Sequence, residues 1–239
     1  SPSKNFKLIG VTGTNGKTTT TNVLAKLLEM QGKKVGLIGT IENRIGNKLY
    51  PVERTTPEAL ELQELFYKMS EEKVDFVIME VSSHALDLGR VSGSFFDLVV
   101  FTNLSQDHLD FHENMEDYFQ AKMKLFKSDI SKAEKAVVNI DDPWGEKILK
   151  ATDLKVQTYS IEKNSDFRAE DTRVDLESSS YILSGKKVET NLVGNFNIYN
   201  SLAALLSLRE LGLDLDLAIE NLKEISNVSG RFEMVDIAK

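Results

Sequence analysis

The chain has 239 residues, of which 41% are hydrophobic and 28% are charged, a balance typical of a folded globular protein. Its formal net charge of −8 argues against a nucleic-acid partner, because neutralising phosphates needs clustered Lys and Arg. The sequence has no cysteine, which excludes disulfides and thiolate metal sites. No apolar run approaches bilayer length and no signal peptide is recognisable, so we expect a cytoplasmic protein without membrane insertion.

Apolar runs of strand length alternate with helical patterns along most of the chain. Several of these runs are apolar at consecutive positions, as strands buried on both faces require. The predicted strands are Lys7–Thr12, Val35–Thr40, Phe76–Val81, Leu98–Thr102 and Ala136–Ile140. The predicted helices are Thr18–Gln31, Pro57–Glu72, Met115–Lys127, Asp142–Ala151, Asn197–Leu211 and Asp214–Ile225. This alternation predicts an α/β fold with a doubly wound, mainly parallel sheet and functional groups at the carboxyl ends of its strands.

Two segments depart from this alternation. Residues 41–52 are expected to form a hairpin that turns at Gly46 and Asn47. Residues 167–192 contain short alternating runs with serines and a Gly-Lys pair, which predicts a small antiparallel sheet. Pro57 suits a first helical turn, with Thr55 or Thr56 as its cap. A further strand is predicted at the end of the sequence, at residues 232–237.

A glycine-rich segment, GVTGTNGKTT, follows the first predicted strand and opens the first predicted helix at residues 10–19. In this context, backbone N–H groups and the helix N-terminus form a site for phosphate. Lys17 adds a positive charge, and the Thr18 hydroxyl is placed to ligate Mg²⁺. A strict P-loop pattern has glycine where this chain has Val11, so the loop is a variant. The alternative interpretation is a simple glycine-rich turn without a phosphate-binding role. The context favours phosphate, and we predict that the chain binds a nucleoside triphosphate.

Polar side chains follow the strand Phe76–Val81, at the predicted carboxyl edge of the sheet. Glu80 can reach Mg²⁺ there, directly or through water, whereas an acid at a strand end without a phosphate loop is usually only solvated. Arg90 can clamp a phosphate or carboxylate, or it can simply pair with Asp87. The turn after the strand contains residues that bind ligand or cap a helix: Ser82, Ser83 and His84.

All three histidines fall between residues 84 and 112, and two of them lie in the segment TNLSQDHLDFH. That segment follows the strand Leu98–Thr102, so it is also expected at the carboxyl edge. His108 is a candidate metal ligand because Asp107 and Asp110 lie beside it. A structural histidine is the alternative.

Lys122 is the least expected residue of the chain. In the predicted helix at 115–127, residues three, four and seven apart share one face. Lys122 falls near the middle of an apolar stripe formed by Met115, Tyr118, Phe119, Leu125 and Phe126. A lysine there must snorkel, pair or be chemically altered, and periodicity does not choose among these.

Two weaker signals occur late in the sequence. The segment GNFNIYNSLAALLSL places Asn195, Asn197 and Asn200 at the start of a helix, where they cap it or recognise a purine edge. Arg231, in GRFE, is a candidate phosphate contact.

Six sequence blocks occur in a recognisable order: TGTNGKTT, TTPEAL, MEVSSHALDLGRV, FTNLSQDHLDFHENMEDYFQAKMKLF, GNFNIYNSLAAL and GRFE. Together they resemble the central ATPase domain of the Mur ligases. The resemblance is closest to the MurE type, which adds the third residue of the peptidoglycan stem to UDP-N-acetylmuramoyl-L-alanyl-D-glutamate. It covers essentially the whole chain, and the EVSSHAL and TNLSQDHLDFH blocks are its most specific parts. The non-standard loop spacing of the family also accounts for Val11.

The resemblance implies roles for individual residues. It implies ATP and Mg²⁺ as ligands and a carbamylated lysine at Lys122, with Lys17, His108 and Lys122 as catalytic residues. Residues implied in ATP binding are Gly13, Thr14, Asn15, Gly16, Lys17, Thr18, Thr19, Asn197, Asn200 and Arg231. Residues implied in metal binding are Thr18, Glu80, His108 and Lys122. Residues implied near the muramoyl-dipeptide substrate are Thr55, Thr56, Ser82 and Arg90.

The family reaction transfers the γ-phosphoryl group of ATP to a substrate carboxylate, and an amino acid then attacks the acyl phosphate. The resemblance further implies that residues 1–239 are the central ATP-binding domain of a longer ligase, whose UDP-binding and amino-acid-binding domains are absent from this chain. The isolated chain is then expected to be inactive in ligation. A folylpolyglutamate or cyanophycin synthetase type of ligase is an alternative, although the SSHAL…GRV block argues against it. A regulatory nucleotide-binding module without ligase activity is the alternative from another class.

Overall fold

The computed structural model describes residues 1–225, and these contain an 11-stranded sheet with helices packed on both faces. The strands are β1 (Lys7–Thr12), β2 (Val35–Ile38), β3 (Asn43–Ile45), β4 (Lys48–Tyr50), β5 (Phe76–Glu80), β6 (Leu98–Phe101), β7 (Lys135–Asn139), β8 (Lys155–Ser160), β9 (Phe167–Val174), β10 (Ser179–Leu183) and β11 (Lys186–Thr190). The α-helices are α1 (Lys17–Met30), α2 (Ala59–Glu71), α3 (Ser83–Asp87), α4 (Met115–Met123), α5 (Ser128–Ser131), α6 (Pro143–Ala151), α7 (Asn195–Glu210) and α8 (Leu215–Leu222). Short 3₁₀ helices cover Pro2–Asn5 and Lys124–Phe126.

The strand order confirms the predicted doubly wound sheet. It runs β11-β10-β9-β8-β7-β6-β1-β5-β2-β3-β4, and all neighbours from β9 to β2 pair in parallel. From β1 the chain crosses over β5 to reach β2, and from β5 it crosses over β1 to reach β6. The order therefore changes direction around β1, and in such folds a ligand crevice lies outside the carboxyl ends of the strands at this point.

The two faces of the sheet pack against different helices, because alternate residues of each strand point to opposite sides. Ile9 and Val11 belong to a core that also contains the buried residues of α1 and α7. Leu8, the residue before Ile9, belongs to the opposite core, which includes residues of α2 and α4. Both sides of β1 are thus buried from Leu8 to Thr12, as its apolar run predicts.

Antiparallel strands occur at both edges of the sheet. The predicted hairpin forms between β3 and β4, with Gly46 in the left-handed region at the turn. The predicted antiparallel segment forms as β9, β10 and β11, and it extends the main sheet because β9 pairs in parallel with β8. Strand β8 itself was not predicted, since its sequence KVQTYS has only scattered apolar residues.

Some predicted boundaries are wrong for identifiable reasons. Neither Thr55 nor Thr56 caps α2; Glu58 is the N-cap residue, and its backbone N–H donates to the Glu61 carboxylate. The helix predicted at 115–127 ends earlier, at Met123, and continues as a 3₁₀ turn. The predicted strand at 232–237 lies outside the described residues. Among residues 1–225, no helix has the length and apolar character needed to cross a membrane.

Candidate functional site

A cavity of about 1180 Å³ lies at the carboxyl edge of the sheet, next to the point where the strand order changes direction. Its walls combine the glycine-rich loop, strand ends and the first turn of α7. The predicted site residues that line it are Thr14, Asn15, Gly16, Lys17, Thr18, Thr19, Thr55, Glu80, His108, Asn197 and Asn200. The sequence signals that were separate along the chain therefore meet in one place.

The loop between β1 and α1 has a backbone that glycine makes possible. Gly16 precedes the helix with φ 83°, and Gly13 has φ 154°. A Cβ atom on Gly13 would lie 1.9 Å from Thr102 Oγ1, and one on Gly16 would lie 2.3 Å from Asn200 Oδ1. Both positions therefore exclude a side chain through contact as well as conformation.

The segment after β6 fixes the other side of this loop. The Thr14 backbone N–H donates to the Asn103 carbonyl at 2.9 Å, and the Asn15 N–H donates to Asn103 Oδ1 at 2.9 Å. The Thr102 hydroxyl donates to the Asn15 carbonyl at 2.6 Å. Lys17 Nζ folds back over the loop, where it donates to the Gly13 and Thr14 carbonyls at 2.9 Å each. The loop is thus held in a defined shape with the lysine charge at its centre.

Glu80 is a buried carboxylate at the end of β5, with 1% of its surface exposed. Its oxygens accept hydrogen bonds from the Thr18 hydroxyl at 3.1 Å, the Thr40 hydroxyl at 3.0 Å and the Thr40 backbone N–H at 2.9 Å. These donors are neutral, and no salt bridge to Glu80 occurs in the described part of the chain. A buried anion with hydroxyl neighbours suits a hard cation such as Mg²⁺, which takes oxygen ligands.

Lys122 points into the protein, with 1% of its surface exposed, so it does not snorkel to solvent. Its Nζ donates to the Gly13 carbonyl at 3.1 Å and lies 4.5 Å from the centre of the Tyr118 ring. Burial lowers the pKa of Lys122 well below its usual range, the positive charge of Lys17 lowers it further, and Asp107 opposes the shift. Loss of the proton is therefore easier for Lys122 than for an exposed lysine, at a point next to the Gly13 carbonyl of the phosphate loop.

The three histidines cluster, but they differ in surroundings. His108 is exposed, has φ 52° and lies at the cavity wall beside Asp107, as expected of a candidate ligand. His112 is buried and bonded on both ring nitrogens to protein side chains. His84 lies between them, and burial followed by the nearby rings of His108 and His112 lowers its pKa.

The candidate substrate residues form a separate group beside Glu80. The Thr56 hydroxyl donates to the Glu80 carbonyl at 2.9 Å and accepts from the Ser82 N–H at 3.0 Å, while Ser82 caps α3. Arg90 does not pair with Asp87; its guanidinium contacts the Glu58 carboxylate at 2.9 Å. The Arg90 Nε is buried and has no hydrogen-bond partner within residues 1–225.

The asparagines of α7 contact the loop from the opposite side. None of them caps the helix, whose N-cap residue is Gly194. Asn200 accepts from the Thr20 hydroxyl at 3.3 Å and donates to Asn197 Oδ1 at 3.0 Å, so both amides are engaged within the protein. Arg231 lies outside the described residues.

Several cavity residues were not predicted. Thr40, Thr102 and Asn139 each stand at the carboxyl end of a strand, so the rule that identified Glu80 would also have found them. Asp141 had no comparable signal, because its partners come from distant segments: the backbone N–H groups of 161–163 and the Tyr199 hydroxyl. Burial alone would raise the pKa of Asp141, but these hydrogen bonds lower it overall.

Within residues 1–225, no group of three or more His, Asp or Glu side chains is arranged to hold a metal ion by itself. Thr18 and Glu80 nevertheless place two oxygen donors together, and Mg²⁺ commonly completes its coordination with water and substrate phosphates. A doubly wound sheet with a glycine-rich loop between its first strand and first helix defines the class of P-loop α/β domains.

Comparison with known proteins identifies the family within that class. The Mur ligase middle domain matches residues 11–208, and the chain belongs to this family. A relative from Clostridium botulinum, named UDP-N-acetylmuramoyl-L-alanyl-D-glutamate–2,6-diaminopimelate ligase, is 48% identical over 98% of this chain and 48% of its own length. A protein of the same name from Syntrophomonas wolfei is 45% identical over 98% of this chain and 49% of its own length.

Solved structures agree with this assignment. The structure of a diaminopimelate ligase of the same name superposes with a TM-score of 0.88 at 32% identity, covering 96% of this chain and 48% of that one. A MurF structure from Acinetobacter baumannii has a TM-score of 0.78 at 18% identity, covers 99% of this chain and 49% of that one, and shows a shared fold. The chain spans about half the length of the curated relatives it matches. Mur ligases are ATP- and magnesium-dependent enzymes.

Proposed function

We propose that this chain is the central ATP-binding domain of an amide ligase that adds an amino acid to UDP-N-acetylmuramoyl-L-alanyl-D-glutamate in peptidoglycan synthesis. In the complete protein, a UDP-binding domain precedes residues 1–239 and an amino-acid-binding domain follows them. The names of the relatives favour diaminopimelate as the added amino acid. Because ATP drives the reaction, we assign it to the cytoplasm.

One observation carries this proposal: the phosphate loop and the buried Glu80 share a single cavity and are joined by the Thr18–Glu80 hydrogen bond. Residues Gly13 to Thr19 bind the phosphates of ATP, and Lys17 neutralises their charge. Thr18, Glu80 and His108 would hold Mg²⁺, which would neutralise charge at the phosphates when bound. Asn197, Asn200 and Arg231 contact the nucleotide.

The substrate carboxylate approaches from the side of Thr55, Thr56, Ser82 and Arg90. Thr55 lines the same cavity as the loop, and its hydroxyl lies 3.1 Å from that of Thr40. The carboxylate attacks the γ-phosphorus of ATP and ADP leaves. The amine of the incoming amino acid then attacks the acyl phosphate, which releases phosphate and leaves the amide. The protein's contribution is positioning and charge stabilisation.

Lys122 is carbamylated in the active ligase. The neutral amine adds to CO₂ and releases one proton to solvent, so the side chain becomes an anionic carbamate. Burial and the lowered pKa support this step, because only the neutral amine reacts with CO₂. The carbamate would offer a further oxygen ligand to Mg²⁺ held by Glu80 and His108.

A ligation assay with the complete protein tests the function. We expect formation of the tripeptide product with ATP, Mg²⁺ and diaminopimelate, and no product from residues 1–239 alone, since catalysis requires all three substrates to be assembled between domains. Binding of ATP by the complete protein without any ligation would instead support a regulatory nucleotide-binding module.

Labelling with ¹³C-bicarbonate tests the carbamate separately. We expect a carbamate NMR signal that is absent from Lys122→Arg and is retained in Lys124→Arg, a neighbouring lysine that pairs with Asp87. The Lys122 assignment is wrong if both variants keep the signal, or if the complete, nucleotide-bound protein shows none.

A further inference from the structure

His112 occupies an unusual position for a histidine that is not expected to touch substrate. It is 2% exposed, and its ring joins two separate elements of the fold. Nε2 lies 2.9 Å from the Ser83 hydroxyl at the start of α3, and Nδ1 lies 3.3 Å from the Asp117 carboxylate in the first turn of α4. With a partner on each ring nitrogen, the imidazole has a fixed orientation.

The same ring packs on Tyr118, which connects it to the phosphate side of the cavity. The two rings stack with their centres 4.9 Å apart and their planes 28° apart. The Tyr118 hydroxyl lies 3.3 Å from Thr14 Oγ1 in the phosphate loop, and Lys122 Nζ lies 4.5 Å from the Tyr118 ring centre. Direct contacts thus run from Ser83 through His112 and Tyr118 to the phosphate loop.

Ser83 connects this series of contacts to the candidate substrate residues. Ser83 follows Ser82, which caps α3, and the Arg90 backbone N–H donates to the Ala85 carbonyl in that helix at 2.8 Å. Within residues 1–225, His112 is the only hydrogen-bond partner of the Ser83 hydroxyl. This buried bond therefore links α3 to the start of α4, in addition to the partly exposed pair that Asp87 forms with Lys124.

We propose that His112 is a positioning residue that holds Ser82 and Arg90 at a fixed distance from the phosphate loop and Lys122. This inference rests on the proposed function, because it assigns the α3 turn to the acid substrate. An apolar residue would fill the same space without burying two ring nitrogens, whose burial is costly unless each is hydrogen-bonded. The two hydrogen bonds of His112 instead join the substrate side to the nucleotide side.

Two variants separate the functions of the ring. His112→Phe keeps an aromatic ring to stack on Tyr118 and loses the bonds to both Ser83 and Asp117, whereas Ser83→Ala loses only the bond between Ser83 and His112. Amide hydrogen exchange of the chain reports on both. We expect faster exchange at residues 82–90 in each variant, with residues 13–19 unchanged. Unchanged exchange at 82–90 in both variants would overturn the inference whatever reaction the protein catalyses.

Kinetics of the complete protein distinguish positioning from a general structural effect. Loss of the buried hydrogen bond to Ser83 predicts a KM for the muramoyl substrate raised about tenfold in His112→Phe, with the KM for ATP within about twofold of wild type. The double variant with Ser83→Ala should resemble His112→Phe, since that variant already lacks the bond to Ser83. His112→Gln, which keeps a hydrogen-bonding amide, should recover part of the loss.

Phe111→Leu is the control, because the exposed Phe111 ring packs edge-on against His112, so this variant removes an aromatic contact of that ring and keeps both of its hydrogen bonds. It should leave both KM values unchanged. Equal increases of the two KM values in His112→Phe, or additive effects of His112→Phe and Ser83→Ala, would show a structural role only. Failure of MgATP binding in wild type, in contrast, would overturn the proposed function and leave the exchange result to decide this inference.

Discussion

Charged residues at the two edges of the sheet differ in burial and in ion pairing. At the carboxyl edge, Glu80 and Lys122 are each 1% exposed, and neither forms an ion pair in the described residues. At the amino edge, Lys7 contacts Asp97 at 2.7 Å and Lys34 contacts Glu72 at 2.8 Å, with the lysine side chains 60% and 42% exposed. The charges at the amino edge are solvated, and exposed pairs of this kind stabilise a fold very little.

The buried charges at the carboxyl edge lower the stability of the fold, and we attribute this cost to ligand binding. Burying Glu80 and Lys122 costs free energy that neutral hydrogen-bond partners only partly offset. On the proposed function, this free energy is recovered when a cation binds the carboxylate and phosphates bind the loop. Changes at the carboxyl edge should therefore have large effects of either sign, and changes at the amino edge should have small ones.

The largest effect is expected from Gly13→Ala. Its methyl group would overlap Thr102 Oγ1, and alanine is strained at this φ. We expect a loss of about 3 kcal/mol in the free energy of unfolding, with MgATP binding abolished. Gly32→Ala is the control, because Gly32 has φ 75° and no atom within 4 Å of a Cβ. Urea denaturation should show a loss of about 1 kcal/mol for the control. Equal losses for the two variants would contradict the loop geometry.

Removal of the buried amine should stabilise the protein at neutral pH. Lys122→Met replaces a buried amine, whose charged form is disfavoured by burial, with an apolar side chain, and we expect a gain of about 1–2 kcal/mol at pH 7. Burial lowers the pKa of Lys122 from its ordinary value of 10.5, so between the two pKa values the unfolded chain binds a proton that the folded chain does not. Wild-type stability must then rise with pH through this window, and the rise ends near pH 10.5.

The direction of this pH dependence is checked by measuring unfolding free energies at several pH values for wild type and Lys122→Met. The advantage of the variant should shrink as the pH rises. Lys124→Met is the control, since Lys124 is partly exposed and paired with Asp87. An advantage for Lys122→Met that is constant with pH would show that the amine is charged in the folded protein.

The carboxylate of Glu80 should matter for Mg²⁺ and little for nucleotide alone. Glu80→Gln keeps the shape of the side chain and removes its charge. We expect Mg²⁺ to improve ATP affinity about tenfold less in the variant than in wild type, a loss of about 1.4 kcal/mol. Titrations with and without Mg²⁺ measure the difference. The control Glu72→Gln, at the amino edge, should preserve the full magnesium effect on ATP affinity. An equally full magnesium effect in Glu80→Gln would show that Glu80 is not part of the metal site.

The smallest effect is expected at the amino edge. Lys7→Ala removes a pair whose lysine is largely solvated, and the free energy of unfolding should fall by about 0.5 kcal/mol or less. Thermal or urea denaturation at low salt is sufficient to measure it. A loss above about 2 kcal/mol would show that the two edges do not differ as described.

Local patterns in the sequence predicted the parts of the site that depend on neighbouring residues. The strand, loop and helix around Gly13 and Lys17 follow one another without a break, and Glu80 ends an apolar run. Helical periodicity alone placed Lys122 among apolar residues, and the structure buries it there. These predictions succeeded because strand and helix periods directly determine which way a side chain points.

Other features depend on residues that are far apart in sequence, and they were missed. Arg90 pairs with Glu58, across 32 positions, and not with nearby Asp87. The helix after Met115 ends at Met123, and the Thr152 hydroxyl donates to the Phe126 carbonyl just beyond it. Strand β8 is formed by pairing with β7 and β9 and has no apolar run of its own. Tertiary contacts decide such features, and no local window contains them.

Calorimetric titration of residues 1–239 with MgATP tests the central claim, that the carboxyl edge binds nucleotide phosphate. Wild type should bind. Lys17→Ala should weaken binding at least about tenfold, because it removes the charge at the centre of the loop. Lys26→Ala, further along α1 and outside the cavity, should bind like wild type. Equal affinity of wild type and Lys17→Ala for MgATP would contradict the account.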